Sequence, residues 1–103
     1  MKRFHISIST ADYDASVADY SNRLGQAPDV EIKGRYARWR TELLNFTVSC
    51  KPGQPGGTVR HIGFEDDGEV AFREVLDVND IVWEYFSQSV QEQEVKEKFG
   101  DGL

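Results

Sequence analysis

The only two histidines of the chain, His5 and His61, are the residues whose type and position could support metal chemistry. Each lies in an alternating segment, on the side opposite the apolar residues Ile6 and Ile62. A single histidine on a strand is more often a surface or hydrogen-bonded residue than a metal ligand. Two on the polar faces of predicted strands carry more weight than one, because imidazole nitrogens are common metal ligands.

The other reactive side chains have simpler interpretations. Cys50 ends a predicted strand without a base near it in the sequence, which indicates a small core residue rather than a nucleophile. Glu65 is interpreted as a solvated charge, but it shares the face of His61 and is therefore the best substitute for a carboxylate ligand of a metal. A basic and aromatic cluster at 33–40 could bind an anionic ligand, but an exposed strand with stacked arginines is the favoured interpretation.

Hydrophobic periodicity predicts the elements that must position these residues. Strict alternation predicts a strand at 3–9, and strands are also predicted at 30–41, 43–50 and 58–65. A helix is predicted to begin at the N-cap Asp12 and to end at Gly25. The polar side of the 43–50 strand could line a cavity or could simply be the solvated face of the strand; it consists of Asn45, Thr47 and Ser49.

The C-terminal part is less regular. The segment 51–57 contains two prolines and three glycines and predicts a loop. Residues 70–76 fit a short helix about as well as a hairpin strand, and we favour the helix. A further helix is predicted over 79–99, with Asn79 or Asp80 as its cap.

Length and composition predict one globular domain. The chain has 103 residues, of which 39% are hydrophobic, and it contains no apolar run of about 20 residues that would span a bilayer. Its formal net charge of −6 disfavours binding to nucleic acid or to an anionic membrane. The single cysteine and the alternating N-terminal segment, which is unlike a signal peptide, make the cytoplasm the expected compartment.

Four segments together resemble one known family. They are RFHISISTADYDASVADYSNRLGQAP (3–28), GRYARW (34–39), LNFTVS (44–49) and GGTVRHIGFE (56–65). The chain resembles the glyoxalase/bleomycin-resistance/dioxygenase superfamily, also termed vicinal oxygen chelate proteins. It is most similar to the cadmium-induced and organoarsenical-lyase branch. This resemblance implies an α+β fold with a curved mixed sheet, in which 1–57 forms a βαβββ module and 58–103 an abbreviated second module with a helical tail.

The resemblance also implies a metal site. In that family, the first strand of each module commonly provides a histidine and the last strand of the second module provides a glutamate. Carried over by position, the ligands are His5, His61 and Glu84, the last within a Trp-Glu-Tyr-Phe segment. Two imidazoles and one carboxylate suit divalent Fe, Mn, Ni or Zn, and no organic cofactor is expected.

One departure from the family pattern places Glu84 in question. Only 84 − 61 = 23 positions separate it from His61, too few for the helix and three strands that the family places between these ligands. If 81–86 is a strand, Glu84 faces away from Trp83 and Tyr85 and could reach the cavity. If the segment is helical, as the capping and charge pattern favours, Glu84 points into solvent.

Two functions follow from the resemblance. The first is a metal-dependent lyase, isomerase or dioxygenase that acts on a small molecule. The second is a binding or sequestration module, like bleomycin-resistance proteins, that has lost the metal, and for which the negative net charge favours a cationic ligand. Because the second module is abbreviated, we also expect a homodimer. Residues 79–99 would form an arm against their own sheet or against the partner's, with Trp83, Tyr85 and Phe86 as the buried contacts. If the arm crosses over, Glu84 could enter the partner's site.

Overall fold

A computed structural model describes residues 2–51 and 55–100, which form a seven-stranded mixed sheet with helices on its two faces. The elements are β1 (Lys2–Ser9), α1 (Tyr13–Leu24), β2 (Val30–Ile32), β3 (Tyr36–Arg40), β4 (Leu44–Ser49), β5 (Val59–Asp66), β6 (Arg73–Leu76), β7 (Val82–Phe86) and α2 (Gln88–Phe99). Across the sheet the order is β2-β3-β4-β1-β5-β7-β6. The predicted α+β class, with a curved mixed sheet and a C-terminal helix, is confirmed.

β1 is the central strand and joins the two halves of the sheet. It pairs in parallel with β4 and antiparallel with β5, so that His5 lies between Asn45 and Gly63. β5 in turn pairs in parallel with β7, which places Glu84 beside Gly63. His5, Gly63 and Glu84 therefore form one row across three neighbouring strands.

The apolar face of the sheet, which carries Trp39, Phe46 and Val48, packs against α1. Tyr20 of this helix makes edge contacts with the rings of Trp39 and Phe46 at centroid distances of 6.0 and 5.0 Å. The predicted helix ends are confirmed. The Asp12 carboxylate accepts from a backbone N–H of the first turn, and Gly25 adopts the left-handed conformation that ends the helix.

The opposite face, here termed the polar face, is buried under α2. Gln91 of this helix hydrogen-bonds to Asn45, and the ring of Phe99 lies 5.3 Å from that of Tyr36. The alternative of a solvated face for the polar residues of β4 is therefore wrong, because α2 shields them from water. The deeply buried polar residues of this face include His5, Ser7, Arg38, Asn45, Thr47, Ser49, Glu65 and Glu84.

The segment 30–41 is a hairpin rather than the single strand that the sequence predicts. A turn with Gly34 at φ 80° separates β2 from β3. The interpretation of this region as an exposed strand with stacked arginines is also wrong. Arg38 is only 2% exposed, and its guanidinium donates to Asp29 at 2.6 Å and to Glu92 at 3.0 Å.

Both helix predictions for the C-terminal part need correction. Residues 70–76 contain β6 instead of a helix, and the helix predicted over 79–99 is divided into β7 and α2. Asn79 is part of a turn in which the Asp77 carboxylate accepts backbone N–H groups, and Ser87 is the actual N-cap of α2. The helical spacing of the aromatic residues predicted a helix wrongly, because β7 pairs in parallel with β5 and no local sequence pattern reveals this partner.

The predicted loop lies partly outside the described residues, which omit 52–54. The neighbouring residues 55–57 contact the end of β1, where the Ser9 hydroxyl donates to the Pro55 carbonyl oxygen at 2.8 Å. Within the described ranges, no helix is long and apolar enough to cross a membrane.

Candidate metal centre

His5 is held in the middle of the polar face by β1. Its side chain is 2% exposed, and its Nδ1 lies 2.9 Å from the Asn45 carbonyl oxygen and 3.0 Å from the Asn45 amide oxygen. A carbonyl oxygen can only accept, so Nδ1 carries the ring proton and the Nε2 lone pair is free to bind another group. Burial, with a contribution from the nearby charge of His61, lowers the pKa of His5 to about 4, which keeps the ring neutral at pH 7.

His61 comes from β5 and lies against His5. The two Nε2 atoms are 2.9 Å apart, and Nε2 of His61 is also 2.9 Å from Oε1 of Glu84. His61 Nε2 can carry only one proton, whereas both of its neighbours are acceptors. One proton cannot satisfy both contacts fully, so a shared cation suits this position.

Glu84 completes the group from β7. Because β7 is a strand, its carboxylate points away from Trp83 and Tyr85 and toward the polar face, as expected for the strand alternative. Its Oε1 is 4.0 Å from Nε2 of His5, and one ligand atom of each residue lies within 4.8 Å of the others. The expectation that Glu84 faces solvent is therefore wrong.

These three side chains, here termed the triad, form a donor set that fits a divalent metal. Ligand atoms about 2.1 Å from a metal and at right angles to each other are about 3.0 Å apart. Two of the three separations in the triad, at 2.9 Å each, are close to that value. Two neutral imidazole nitrogens and one carboxylate oxygen suit Fe(II), Mn(II), Ni(II) or Zn(II).

A small cavity of about 40 Å³ adjoins the triad. It can hold about three waters at 10–15 Å³ each, which is enough for the remaining ligands of a metal or for a few atoms of a substrate. Hydroxyl, aromatic and charged side chains surround it. They include Ser7, Tyr36, Thr47, Lys51, Arg60, Phe72, Phe86 and Lys98.

Glu65, the predicted substitute ligand, is engaged elsewhere. Its carboxylate accepts from Arg3 at 3.0 Å, from Arg40 at 2.8 and 2.9 Å and from Asn45 at 2.9 Å. Burial raises the pKa of Glu65, but these hydrogen bonds and the charges of both arginines outweigh it and lower the pKa to about 2. The interpretation of Glu65 as a solvated charge is therefore wrong, because the side chain is fully buried, and its hydrogen bonds hold the neighbouring strands rather than a metal.

Sequence reasoning missed the residues that orient His5. Asn45 and Gln91 exchange amide hydrogen bonds at 2.8 and 3.0 Å, and Arg38 donates to the Gln91 oxygen at 2.9 Å. Because Glu65 accepts from the Asn45 amide nitrogen, the Asn45 oxygen must face His5. The polarity and parity of Asn45 were available as signals, whereas Gln91 comes from a helix whose docking site could not be inferred.

Cys50 is partly buried and packs beside the core that contains Trp39 and Val48, consistent with its interpretation as a small core residue.

No protein-family model matches the chain, and no curated protein matches it.

Proposed function

We propose that this chain is a metal-dependent enzyme of the glyoxalase-like class that acts on a small molecule. The observation that carries the proposal is the convergence of His5, His61 and Glu84, with the His5 lone pair free to coordinate, beside a small cavity. The metal ligands would be these three side chains. A divalent metal bound there would polarise an oxygen of the substrate.

The order of the elements supports this assignment. β1, α1, β2, β3 and β4 form a βαβββ run, and β5, β6 and β7 continue the sheet on the other side of β1. The triad comes from β1, β5 and β7, which correspond to the first strand of each module and the last strand of the second. The second half would then be a module without its helix and one strand, which explains why 23 positions are enough between His61 and Glu84.

The residues around the triad would prepare it for the metal. Asn45 holds His5 in the tautomer that presents Nε2, and hydrogen bonds to the distal nitrogen of a ligand histidine are typical of metal sites. The rings of Phe86 and Phe72 stack near His5 and limit the access of water from that side. Exclusion of water strengthens the interaction of a metal with a substrate oxygen.

Metal analysis of untagged protein tests the proposal. We expect about one equivalent of bound metal after reconstitution with Fe(II), Mn(II), Ni(II) or Zn(II), and a large loss of binding in Glu84→Gln. Glu74→Gln is a matched control, because Glu74 pairs with Glu84 across β6 and β7 but is exposed. Less than a tenth of an equivalent in the unaltered protein, after all four metals, would rule the proposal out.

A binding module without metal remains the alternative. It predicts that the double variant His5→Ala/His61→Ala retains ligand binding and stability, whereas the metal enzyme loses both. The metal enzyme is favoured because, without a metal, a single proton on His61 Nε2 would have to serve both His5 Nε2 and the Glu84 carboxylate.

A further inference from the structure

The charge around the cavity is opposite to that of the whole chain. Lys51, Arg60 and Lys98 all line the cavity, although the chain has a formal net charge of −6. The three lie close enough that the charges of Arg60 and Lys98, together with slight burial, lower the pKa of Lys51. The acidic residues that line the same cavity are Glu84 of the triad and Glu94.

These cations are only partly neutralised by the protein. Lys98 pairs with Glu94 at 2.8 Å, and Arg60 donates to the neutral Ser49 hydroxyl at 3.3 Å. Among the described residues, Lys51 has no acidic partner within ion-pair distance. A divalent metal on the triad would offset the charge of Glu84 and leave an excess of positive charge around the cavity.

Two buried hydroxyls face the same space. Ser7 is 1% exposed and Thr47 is 2% exposed, and both line the cavity. In residues 2–51 and 55–100, neither hydroxyl has a hydrogen-bond partner, and neither is fully enclosed by protein atoms. Both hydroxyls are therefore reached from the cavity and are available to hydrogen-bond to water or to a ligand there.

From these observations we propose that the cavity binds a small organic anion. Its carboxylate or phosphate group would lie between the cationic side chains and the Ser7 and Thr47 hydroxyls, with a second oxygen available to the metal. The proposal rests on the metal site proposed above and specifies its substrate class. It replaces the cationic ligand that the net charge favours, because the field at a site depends on the nearest charges more than on their sum.

Calorimetric titration of the Mn(II)-loaded protein provides the test. Pyruvate and inorganic phosphate serve as carboxylate and phosphate ligands, and pyruvamide is the neutral counterpart of pyruvate. We expect one of the two anions to bind at least tenfold more tightly than pyruvamide, and the preferred anion identifies the charged group. Lys51→Gln and Arg60→Gln should each weaken its binding about tenfold, since each removes a charge-assisted hydrogen bond.

Lys33→Gln is the matched control, since Lys33 is exposed in the β2–β3 turn away from the cavity. The Mn(II) content of every variant is measured in parallel. Binding of both anions no tighter than that of pyruvamide, or Lys51 and Arg60 variants that behave like Lys33→Gln, would overturn the anion proposal even when manganese is bound. If manganese does not bind but the metal-free protein still binds the anion in a Lys51-dependent manner, the proposed enzyme fails and the anion site stands.

Discussion

The hydrogen bonds around His5 determine which of its two ring nitrogens carries the proton. Its Nδ1 has two acceptors, both on Asn45, and its Nε2 faces His61 and Glu84. Charged residues further out fix this arrangement, because Arg38 orients Gln91 and Glu65 orients Asn45. The tautomer of His5 thus depends on a chain of hydrogen bonds that reaches from β1 to α2.

Nitrogen-15 NMR of the metal-free protein tests this tautomer. We expect the Nδ1–H form of His5, with the ring neutral from pH 7 to about pH 5 and a pKa of about 4. The folded pKa lies below the ordinary value of 6.5, so the stability from this group is complete above pH 6.5 and is lost as the pH falls through 4. An Nε2–H tautomer, or protonation near pH 6.5, would contradict the assignment.

At the scale of elements, the triad depends on the close approach of β5 and β7. Gly63 lies between His5 and Glu84 in neighbouring strands. A Cβ atom on Gly63 would lie 1.8 Å from the Glu84 carbonyl oxygen, which is far inside contact distance. The absence of a side chain at Gly63 therefore allows the pairing that brings Glu84 to the histidines.

The variant Gly63→Ala should separate β5 from β7 and disturb the triad. We expect a loss of several kcal/mol in the free energy of unfolding, together with loss of metal binding, because backbone atoms must move to accept the methyl group. Gly68→Ala is the control, since its added Cβ would meet only an Asp66 oxygen at 3.7 Å. Chemical denaturation and metal analysis measure both effects, and equal behaviour of the two variants would contradict this account.

Local patterns predict the first half of the fold better than the second. The alternation of β1, β4 and β5 and the caps of α1 are local signals, and the structure confirms them. The prediction for residues 70–86 was wrong because their side chains fit both the helical and the strand period. The strand β7 within them also pairs with β5, which is distant in sequence. Asn79 and Asp80 resemble a cap but belong to a turn.

The residues of the candidate site were likewise predictable from the sequence only in part. His5 and His61 are identifiable by residue type and parity, and the resemblance adds Glu84. The orientation of Glu84 required knowing that 82–86 is a strand, which the sequence pattern disfavoured. Gln91, Lys98 and the burial of Ser7 depend on where α2 docks, and the weak amphipathic pattern of that helix does not reveal it.

At the scale of the whole molecule, the carboxylate of Glu65 connects several strands through hydrogen bonds. It lies on β5 and accepts hydrogen bonds from Arg3 on β1, Arg40 on β3 and Asn45 on β4. Its side chain is fully buried, so the carboxylate exchanges water for these donors. A protonated or missing carboxylate would leave two partly buried arginines and the buried Asn45 amide without this partner.

Acid should unfold the protein partly through Glu65. Its folded pKa, about 2, lies below the ordinary 4.5, so its contribution is complete above pH 4.5 and is lost as the pH falls toward 2. We expect Glu65→Gln to lower the free energy of unfolding at pH 7 by about 3–5 kcal/mol. The variant should also have a smaller slope of stability against pH between 4.5 and 2. Denaturation series at several pH values measure this, and parallel curves for the two proteins would contradict it.

The homodimer stays a prediction, but its expected interface changes. Phe86 is 1% exposed within its own chain and cannot contribute, and Glu84 reaches its own triad without crossing to a partner. Trp83 and Tyr85 lie on the apolar face of β7, which is separated in the sheet from the strands that pack against α1, and Trp83 pairs with the exposed residue Val75. This part of the sheet is where a second copy would bury apolar area.

Light scattering over a micromolar concentration series tests the dimer. We expect a dimer mass, and Trp83→Ala should weaken association because a large aromatic contact is lost. Val70→Ala serves as a control, since Val70 is 94% exposed and lies in the β5–β6 connection. A monomer mass at all concentrations would refute the dimer, and circular dichroism verifies that each variant is folded.

The positions of the triad along the chain have a consequence for how a metal would act on the protein. His5 and His61 are 56 positions apart, and Glu84 lies 23 positions further on. A metal on the triad would be a reversible cross-link between β1, β5 and β7, and it would close two long loops of the chain. A ligand that binds only the folded state adds about 2.7 kcal/mol to the free energy of unfolding when its free concentration is a hundred times Kd. A chelator should consequently lower the melting temperature of the entire domain, rather than loosen one segment of it.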